Sequence, residues 1–325
     1  MDRRAAAVIV LVIGSAPRRA FAQANRMPRV AVVLSGTVTS DAVRVDAFQR
    51  GLQELGYIPG RNISLIYKYA NGNLQEIPSV ANEVAELKVD VAVAEGSTAA
   101  AAIRRADASV PIVMAFSSDP VAARLVDSLA RPGGNTTGLS VQATDLAAKQ
   151  LEILKNIVPQ LTSVAVLGDA QGPTYQARMQ EIDRASVALN LRIHRVELHD
   201  TADLHRAFAM VEAARPGALL ALQTPAMVAL HRQIADLALR ARLPTMYIDS
   251  EFPAAGGLVS YGPNYADLFK RTAYYVDRIL RGAKPRDLPV EQVERFELVI
   301  NQRTARQIGL QIPSKMAQQA DRVIE

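Results

Sequence analysis

The chain has 325 residues, a formal net charge of +5 at pH 7 and no cysteine. The lack of cysteine excludes disulfides, thiol nucleophiles, thiolate metal sites and lipid attachment at an N-terminal cysteine. No run of Lys and Arg indicates binding to nucleic acid. The length favours two domains, each large enough to bury a core of its own.

The first 22 residues have the pattern of a secretory signal peptide. Arg3 and Arg4 precede an apolar run at 5–13, and Ala20-Phe21-Ala22 matches a cleavage site. The run is about half of the roughly 20 apolar residues that a membrane span needs. We therefore predict cleavage near Ala22 and a soluble product in a bacterial periplasm, exported by either the Sec or the twin-arginine route. Loss of the leader, with four Arg and one Asp, lowers the net charge from +5 to +2.

Strand patterns alternate with helical patterns along the rest of the chain. In the first half the predicted order is strand 29–34, helix 40–55, strand 63–69, helix 77–87, strand 90–94, a short helix after Ser97, strand 111–116 and helix 121–130. In the second half it is helix 145–157, strand 163–169, helix 175–189, strand 192–198, helix 203–214, strand 218–222, helix 226–241, strand 244–249, strand 257–262 and a long helix over 268–280.

This alternation is typical of parallel sheets built from βαβ units. Because the series occurs twice, we predict an α/β protein with two similar Rossmann-like lobes. We expect residues 28–143 and 263–290 to form the N-terminal lobe. Residues 144–262 and 291–325 should form the C-terminal lobe.

The stretch GGNTTGLS at 133–140 is compatible with a phosphate loop, a glycosylation acceptor or a simple connection. A phosphate loop follows a strand, opens a helix and carries a lysine, but here Leu139 stands at the lysine position. Asn135 lies in an acceptor sequence that a bacterial periplasm ordinarily leaves unmodified. We therefore expect the glycines to cap the helix predicted at 121–130, and the chain to cross between the lobes near 138–145.

Patterns typical of catalysis or metal binding are absent from the sequence. No metal-ligand spacing joins the four histidines, which are His194, His199, His205 and His231. There is neither a Gly-x-Ser-x-Gly elbow nor a Gly-x-Gly-x-x-Gly motif after a strand. The acidic pair Asp41 and Asp46 is expected on an exposed helix face, where both charges are solvated. We predict no enzymatic activity and no metal site.

Four segments resemble those of ABC-transporter solute-binding proteins. They are F-x-x-G-L-x-E-L-G-Y-x-x-G-x-N at 48–62, LARPGGNTTGLS at 129–140, AGGLVSYGPNYADLFKRTAYYVDRILRGAKPRDLPVE at 255–291 and FELVINQRTARQIGLQIP at 296–313. The resemblance covers essentially the whole chain. It is to a branch of the type I periplasmic binding proteins whose few characterised members bind aromatic amino acids such as tryptophan. It implies two α/β lobes with three crossovers, which close on a solute, and no obligatory cofactor.

Ligand-binding residues are expected in loops that follow strands, because ligands of doubly wound sheets lie at the carboxyl ends of strands and at helix N-termini. In the first lobe the candidates are Ser35, Gly36, Thr37, Glu95, Gly96, Ser97, Thr98, Phe116, Ser117, Ser118 and Asp119. Their hydroxyl and backbone N–H groups suit a carboxylate. The same residues are also compatible with simple helix capping.

In the second lobe the candidates are Asp169, Gln171, Tyr175, Gln223, Thr224 and Asp249. An α-amino group needs an acidic partner, which Glu95, Asp169 or Asp249 could provide. The absence of an acid from Gln223-Thr224 departs from the pattern expected in relatives and bears against an amino-acid ligand. Candidates for stacking on a flat solute are Phe116, Tyr175, Tyr247 and Tyr261. The last two tyrosines are equally compatible with packing in the sheets.

These observations predict the periplasmic solute-binding component of an ABC importer. Such a monomer would trap a small organic solute, for example an amino acid or a related carboxylate, between its lobes. Its lobe surfaces would then contact the permease and its ATPase. Two alternatives stay open: a receptor that signals through a membrane sensor kinase, and a secreted α/β enzyme. No nucleic-acid partner is expected.

Overall fold

A computed structural model describes residues 26–141, 146–170, 175–293 and 295–325. The predicted leader, residues 1–22, and the candidate Gln171 lie outside these ranges. Two mostly parallel sheets with flanking helices form the molecule, as the α/β prediction requires. No helix in the described ranges is long and apolar enough to cross a membrane.

The first sheet has six strands in the order β11-β5-β4-β3-β1-β2. These strands are β1 (Arg29–Leu34), β2 (Ser64–Tyr69), β3 (Val91–Glu95), β4 (Ile112–Phe116), β5 (Thr136–Ser140) and β11 (Glu291–Gln292). The helices of this half are α1 (Ala42–Glu54), α2 (Ile77–Glu86) and α3 (Gly96–Ala106). The central strands β1 and β3 are buried along almost their whole length, which explains their continuous apolar sequence.

The second sheet has seven strands in the order β13-β12-β10-β9-β8-β6-β7. They are β6 (Ser163–Gly168), β7 (Arg192–Glu197), β8 (Ala218–Ala221), β9 (Thr245–Tyr247), β10 (Val259–Gly262), β12 (Glu297–Asn301) and β13 (Arg322–Ile324). The helices in this part of the chain are α4 (Leu146–Ile157), α5 (Tyr175–Ala188), α6 (Leu204–Ala214), α7 (Pro225–Ala229), α8 (His231–Arg240), α9 (Glu251–Ala254), α10 (Tyr265–Leu280), α11 (Gln302–Ile308) and α12 (Ser314–Gln319). Only the β10–β12 pairing is antiparallel among the pairings described for this sheet.

The chain passes between the sheets three times in the described parts: from β5 to α4, from β10 to α10, and from β11 to β12. The long helix α10 follows a strand of the second sheet but packs on the first. Phe269 and Val276 of α10 are fully buried in one core with Phe48 of α1. This apolar face therefore attaches α10 to the first lobe.

Three expectations differ from the structure, two about helices and one about the boundary between the lobes. Residues 121–130 are not helical, because Arg124 has a φ of 54° and the Arg104 guanidinium donates to the carbonyls of Arg124 at 2.6 Å and Leu125 at 3.3 Å. The helix predicted at 226–241 is two helices, α7 and α8, with Leu230 between them. Residues 291–292, assigned to the second lobe, pair with β5 in the first sheet.

The stretch GGNTTGLS leads into β5 and forms it, so its role is structural. Since no helix occupies 121–130, the glycines do not cap one. Gly138 has a φ of 131°, and a Cβ atom there would lie 2.2 Å from the carbonyl oxygen of Met114 on the neighbouring strand. Only glycine allows the two backbones to approach this closely.

Replacement of Gly138 by alanine should therefore destabilise the protein by about 1–3 kcal/mol, through overpacking and an unfavourable φ. Urea unfolding of the variant measures this loss. Gly134→Ala is the matched control, because a Cβ atom at Gly134 would meet no atom within 4 Å. Equal stability of the two variants would contradict the close approach of β5 to β4.

Candidate functional site

A cavity of about 140 Å³ lies between the two lobes, at the carboxyl ends of strands from both sheets. Residues at or just after six strand ends contribute to its wall: Ser35, Glu95, Phe116, Asp169, Leu222 and Ile248. Parallel strands bring their loops and helix N-termini to one edge, which is why doubly wound proteins bind ligands there. A cavity of this volume admits a group about the size of benzene.

Many of the residues singled out in the sequence meet in this wall. They are Ser35, Glu95, Gly96, Ser97, Thr98, Phe116, Ser118, Asp169, Tyr175, Gln223 and Thr224. Five others lie outside it: Gly36, Thr37, Ser117, Asp119 and Asp249. The rule that ligands lie after strands thus predicts which edge of each sheet borders the cavity, but it does not show which side chains of a loop turn inward.

The five residues outside the wall have structural roles of their own. The Thr37 backbone N–H donates to Ser40 Oγ at 2.8 Å, within the turn before α1. Ser117 is fully buried, with its Oγ 2.7 Å from Ser97 Oγ. Asp119 Oδ1 accepts hydrogen bonds from the backbone N–H groups that follow it, at 3.1 and 2.8 Å.

Gly36 lies at a contact between the lobes. A Cβ atom there would be 2.8 Å from Asp41 Oδ2 and 2.9 Å from Val228 Cγ1, which belongs to the second lobe. The backbone N–H of Gly36 donates to Asp41 Oδ2 at 3.0 Å. A side chain at this position would therefore push the lobes apart.

The remaining wall residues are not among the ligand-binding candidates that the sequence indicates. They are Leu74, Ile77, Val141, Arg178, Leu222, Val228, Ile248 and Tyr265. Most are apolar and share a pattern with core residues, so no sequence signal separates them. Arg178 lies on α5 beside Tyr175, and it resembles the other charged residues of that helix in sequence.

The first-lobe wall combines a carboxylate with a helix N-terminus. Helix α3 begins at Gly96, directly after β3, so the backbone N–H groups of its first turn point toward the cavity edge. Glu95 is buried, and its Oε2 accepts a hydrogen bond from the Ser35 backbone N–H at 2.6 Å. Hydroxyl groups of Ser97 and Thr98 lie in the same wall. This side can therefore both donate to and accept from a polar solute.

The second-lobe wall presents hydrogen-bond donors around the Tyr265 hydroxyl. That hydroxyl donates to Gln223 Oε1, and burial raises the pKa of Tyr265. Gln223 Nε2 is buried and has no hydrogen-bond partner among the described residues. Arg178 is the cationic side chain among the wall residues that the structure describes. Burial lowers its pKa, but a guanidinium keeps its charge in proteins.

Arg178 lies on α5, and its side chain lines the cavity. Its charge interacts with the Tyr265 hydroxyl and with Glu181. Asp169, by contrast, is engaged by His199, whose Nδ1 lies 2.8 Å from Asp169 Oδ1. This hydrogen bond raises the pKa of His199. The wall thus contains a cation that can bind an anionic group of a solute.

Aromatic side chains divide between the cavity and the cores. Phe116 and Tyr265 meet edge to face, with ring centroids 4.9 Å apart, in the cavity wall. Tyr247 is fully buried and stacks on Phe252 at 4.2 Å, as the packing alternative for it required. Tyr261 lies outside the cavity wall, packed against the second-lobe core.

A buried ionic cluster lies beside the cavity, and we call it the Arg44 cluster. The Arg44 guanidinium is 1% exposed and contacts Asp41 at 3.2 Å, Glu95, Asp249, and Glu251 at 3.5 Å. Burial alone would lower the pKa of Arg44, but the carboxylates outweigh it and raise that pKa above its usual value. The expectation of a solvated Asp41 was therefore wrong: this side chain is fully buried.

No group of three or more potential ligands that could hold a metal ion occurs in the described ranges. Asp249 does not line the cavity: its Oδ2 binds Arg44 Nη2, and its Oδ1 accepts from the Glu251 backbone N–H at 3.0 Å. Of the three proposed acidic partners, only Glu95 and Asp169 line the cavity.

Comparison with known proteins agrees with this architecture. A tyrosine-binding protein of Clostridioides difficile is 23% identical over 267 residues, which are 81% of this chain and 76% of that protein. A conserved domain protein from Vibrio cholerae is 26% identical and superposes with a TM-score of 0.83, covering 92% of this chain and 100% of its own. An ABC domain from Streptococcus pneumonia in complex with L-Trp is 22% identical, with a TM-score of 0.82 and the same coverage.

A family model for ABC transporter substrate binding proteins matches residues 29–324. The match spans both sheets and all the crossovers between them. It agrees with the prediction of a binding protein rather than an enzyme, since the family is defined by substrate binding. The chain therefore belongs to the ABC transporter substrate binding protein family.

Proposed function

We propose that this protein is the periplasmic solute-binding component of an ABC importer. It would trap a small organic solute that carries a carboxylate, such as an amino acid, by closure of the two lobes about the crossovers. The observation that carries the proposal is the interlobe cavity in which the Arg178 guanidinium lies among apolar and aromatic side chains. The permease and its ATPase would contact the lobe surfaces.

The carboxylate of the solute would bind on the side of Arg178 and Gln223. A guanidinium and a primary amide both donate N–H groups, and charge-assisted hydrogen bonds to carboxylates are stronger than neutral ones. The buried Nε2 of Gln223 would gain the acceptor that the chain itself does not provide among its described residues. The lack of an acid at Gln223-Thr224 is consistent with a donor role for this corner.

An apolar or aromatic group of the solute would occupy the rest of the cavity. Phe116, Tyr175 and Tyr265 contribute aromatic rings to the wall, and Val141 and Ile248 contribute aliphatic groups. An α-amino group would bind near Glu95 or Asp169, which are the carboxylates of the wall. One relative is a tyrosine-binding protein and another is in complex with L-Trp, so aromatic amino acids are the first compounds to test.

A thermal-unfolding screen of the ligand-stripped protein tests this proposal. L-tyrosine, L-tryptophan and a library of small carboxylates are the probes, and amines without a carboxylate serve as matched controls. A true ligand at one hundred times its Kd should stabilise the protein by about 2.7 kcal/mol. Absence of stabilisation by every carboxylate, in a sample shown to be folded, would refute the assignment.

A further inference from the structure

The Arg44 cluster is composed of residues from both lobes. Arg44 and Asp41 belong to α1 and its N-terminus, and Glu95 ends β3 of the first sheet. Asp249 follows β9 of the second sheet, and Glu251 begins α9. Nη2 and Nε of Arg44 contact the two second-lobe carboxylates, whereas Nη1 contacts the two first-lobe carboxylates. One guanidinium therefore joins the lobes directly beside the solute cavity.

The cluster contains more negative than positive groups. Four carboxylates share one guanidinium, and three of these carboxyl side chains are no more than 3% exposed. Arg232 is a second cation that acts on Glu251, from α8. Of the other groups that face the cluster, His231 has a pKa lowered by burial, and Tyr69 and Tyr265 are neutral phenols whose pKa burial raises. An excess of buried negative charge is costly unless protons neutralise part of it.

We infer that Arg44 is an interlobe latch whose formation takes up protons, so that this protein binds its solute more tightly in acidic than in alkaline solution. When the lobes separate, the two second-lobe carboxylates lose their contact with Arg44 and regain water. Glu251 then ionises with ordinary acidity. When the lobes join, Glu251 enters the group of carboxylates around Arg44, and protonation removes its charge.

The acidities in the joined form agree with this inference. Burial and the Glu95 charge raise the pKa of Asp41 to about 8, although Arg44 opposes them. Burial, with smaller contributions from Asp249 and Glu95, raises the pKa of Glu251 to about 7 against the effect of Arg44. Glu251 is the group of these two that meets Arg44 only when the lobes join, so its raised pKa belongs to the joined form and favours that form at low pH. The advantage is lost as the pH rises through about 7.

Proton uptake on solute binding is the direct test. Calorimetric titration with L-tyrosine or L-tryptophan, in buffers of different ionisation enthalpy at pH 6, should show uptake of about one proton per solute bound. The Kd should increase about tenfold between pH 6 and pH 8. Glu251→Gln mimics the protonated side chain, so it should flatten this pH dependence and tighten binding at pH 8. Glu212→Gln, an exposed change on α6 of the same lobe, should behave like the unchanged protein.

Small-angle scattering of the solute-free protein separates this inference from the proposed function. A smaller radius of gyration at pH 6 than at pH 9, with the difference reduced in Glu251→Gln, would support the latch even if neither amino acid binds. The same radius of gyration at both pH values, or solute binding with no proton uptake, would overturn it.

Discussion

Replacement of Arg44 by methionine should lower the free energy of unfolding at pH 8 by about 3–5 kcal/mol, the usual cost of removing one partner from a buried ionic network. The methionine fills much of the same volume but leaves the carboxylates of Asp41, Glu95 and Asp249 buried without their shared cation. Denaturant unfolding measures the loss.

The sign of the pH dependence follows from the raised pKa values of Asp41 and Glu251. A carboxyl group with a raised pKa in the folded protein contributes stability that is present at low pH and lost as the pH rises through that pKa. The Arg44→Met variant should therefore recover stability as the pH falls from 8 to 5. At low pH, protonation of the buried carboxylates would remove the negative charge that Arg44 no longer balances.

Arg50→Met is the matched control, because Arg50 lies on the exposed side of the same helix. Its effect should stay within about 0.5 kcal/mol, as for most surface substitutions. The stability of Arg44→Lys should lie between those of the two variants. An ammonium group keeps the charge but lacks the planar set of donors of a guanidinium. If Arg44→Met were as stable as Arg50→Met at pH 8, the cluster would not have the energetic role assigned to it.

Replacement of Arg178 by methionine should weaken the binding of an amino acid by at least about 30-fold, which corresponds to about 2 kcal/mol. The substitution removes the cation of the cavity wall and leaves the solute carboxylate without its charged partner. Titration calorimetry with L-tyrosine and L-tryptophan measures the change. Folding should be little affected, because Arg178 is only partly buried.

Two comparisons isolate the role of Arg178. Arg184→Met, an exposed change on the same helix, should leave affinity unchanged. Tyramine lacks the carboxylate of tyrosine, so its affinity for the protein should not change when Arg178 is replaced. An equal loss for tyramine and tyrosine would show that Arg178 shapes the cavity instead of binding the carboxylate.

Local sequence patterns were enough to predict the two-lobe α/β architecture. Continuous apolar strands such as β1 and β3 and the one-sided apolar face of α10 follow from the periodicity of buried residues. The segment at 121–130 has a helical pattern without forming a helix, because Leu125 and Val126 are buried beside a turn whose carbonyls accept hydrogen bonds from Arg104. A long-range hydrogen bond of this kind has no local signature.

The sequence predicts only some of the residues that line the cavity. Residues that follow strands are predictable, whereas residues inside helices are not. Glu95, Ser97 and Gln223 follow strands, so the topology alone brings them to the right edge of their sheets. Arg178 lies inside a helix and reaches the cavity through the packing of that helix against the sheet. Its position in the sequence does not distinguish it from the exposed Arg184.

The sequence by itself determined the fold class, the alternation of strands and helices, and the strand ends at which a solute site could form. The tertiary structure alone decided that Asp41, which local pattern places on a solvated helix face, is fully buried beside Arg44. It also decided that residues 41 and 249 share one guanidinium. Burial and charge pairing depend on which segments meet in space, whereas hydrophobic periodicity records only which side of each segment is covered.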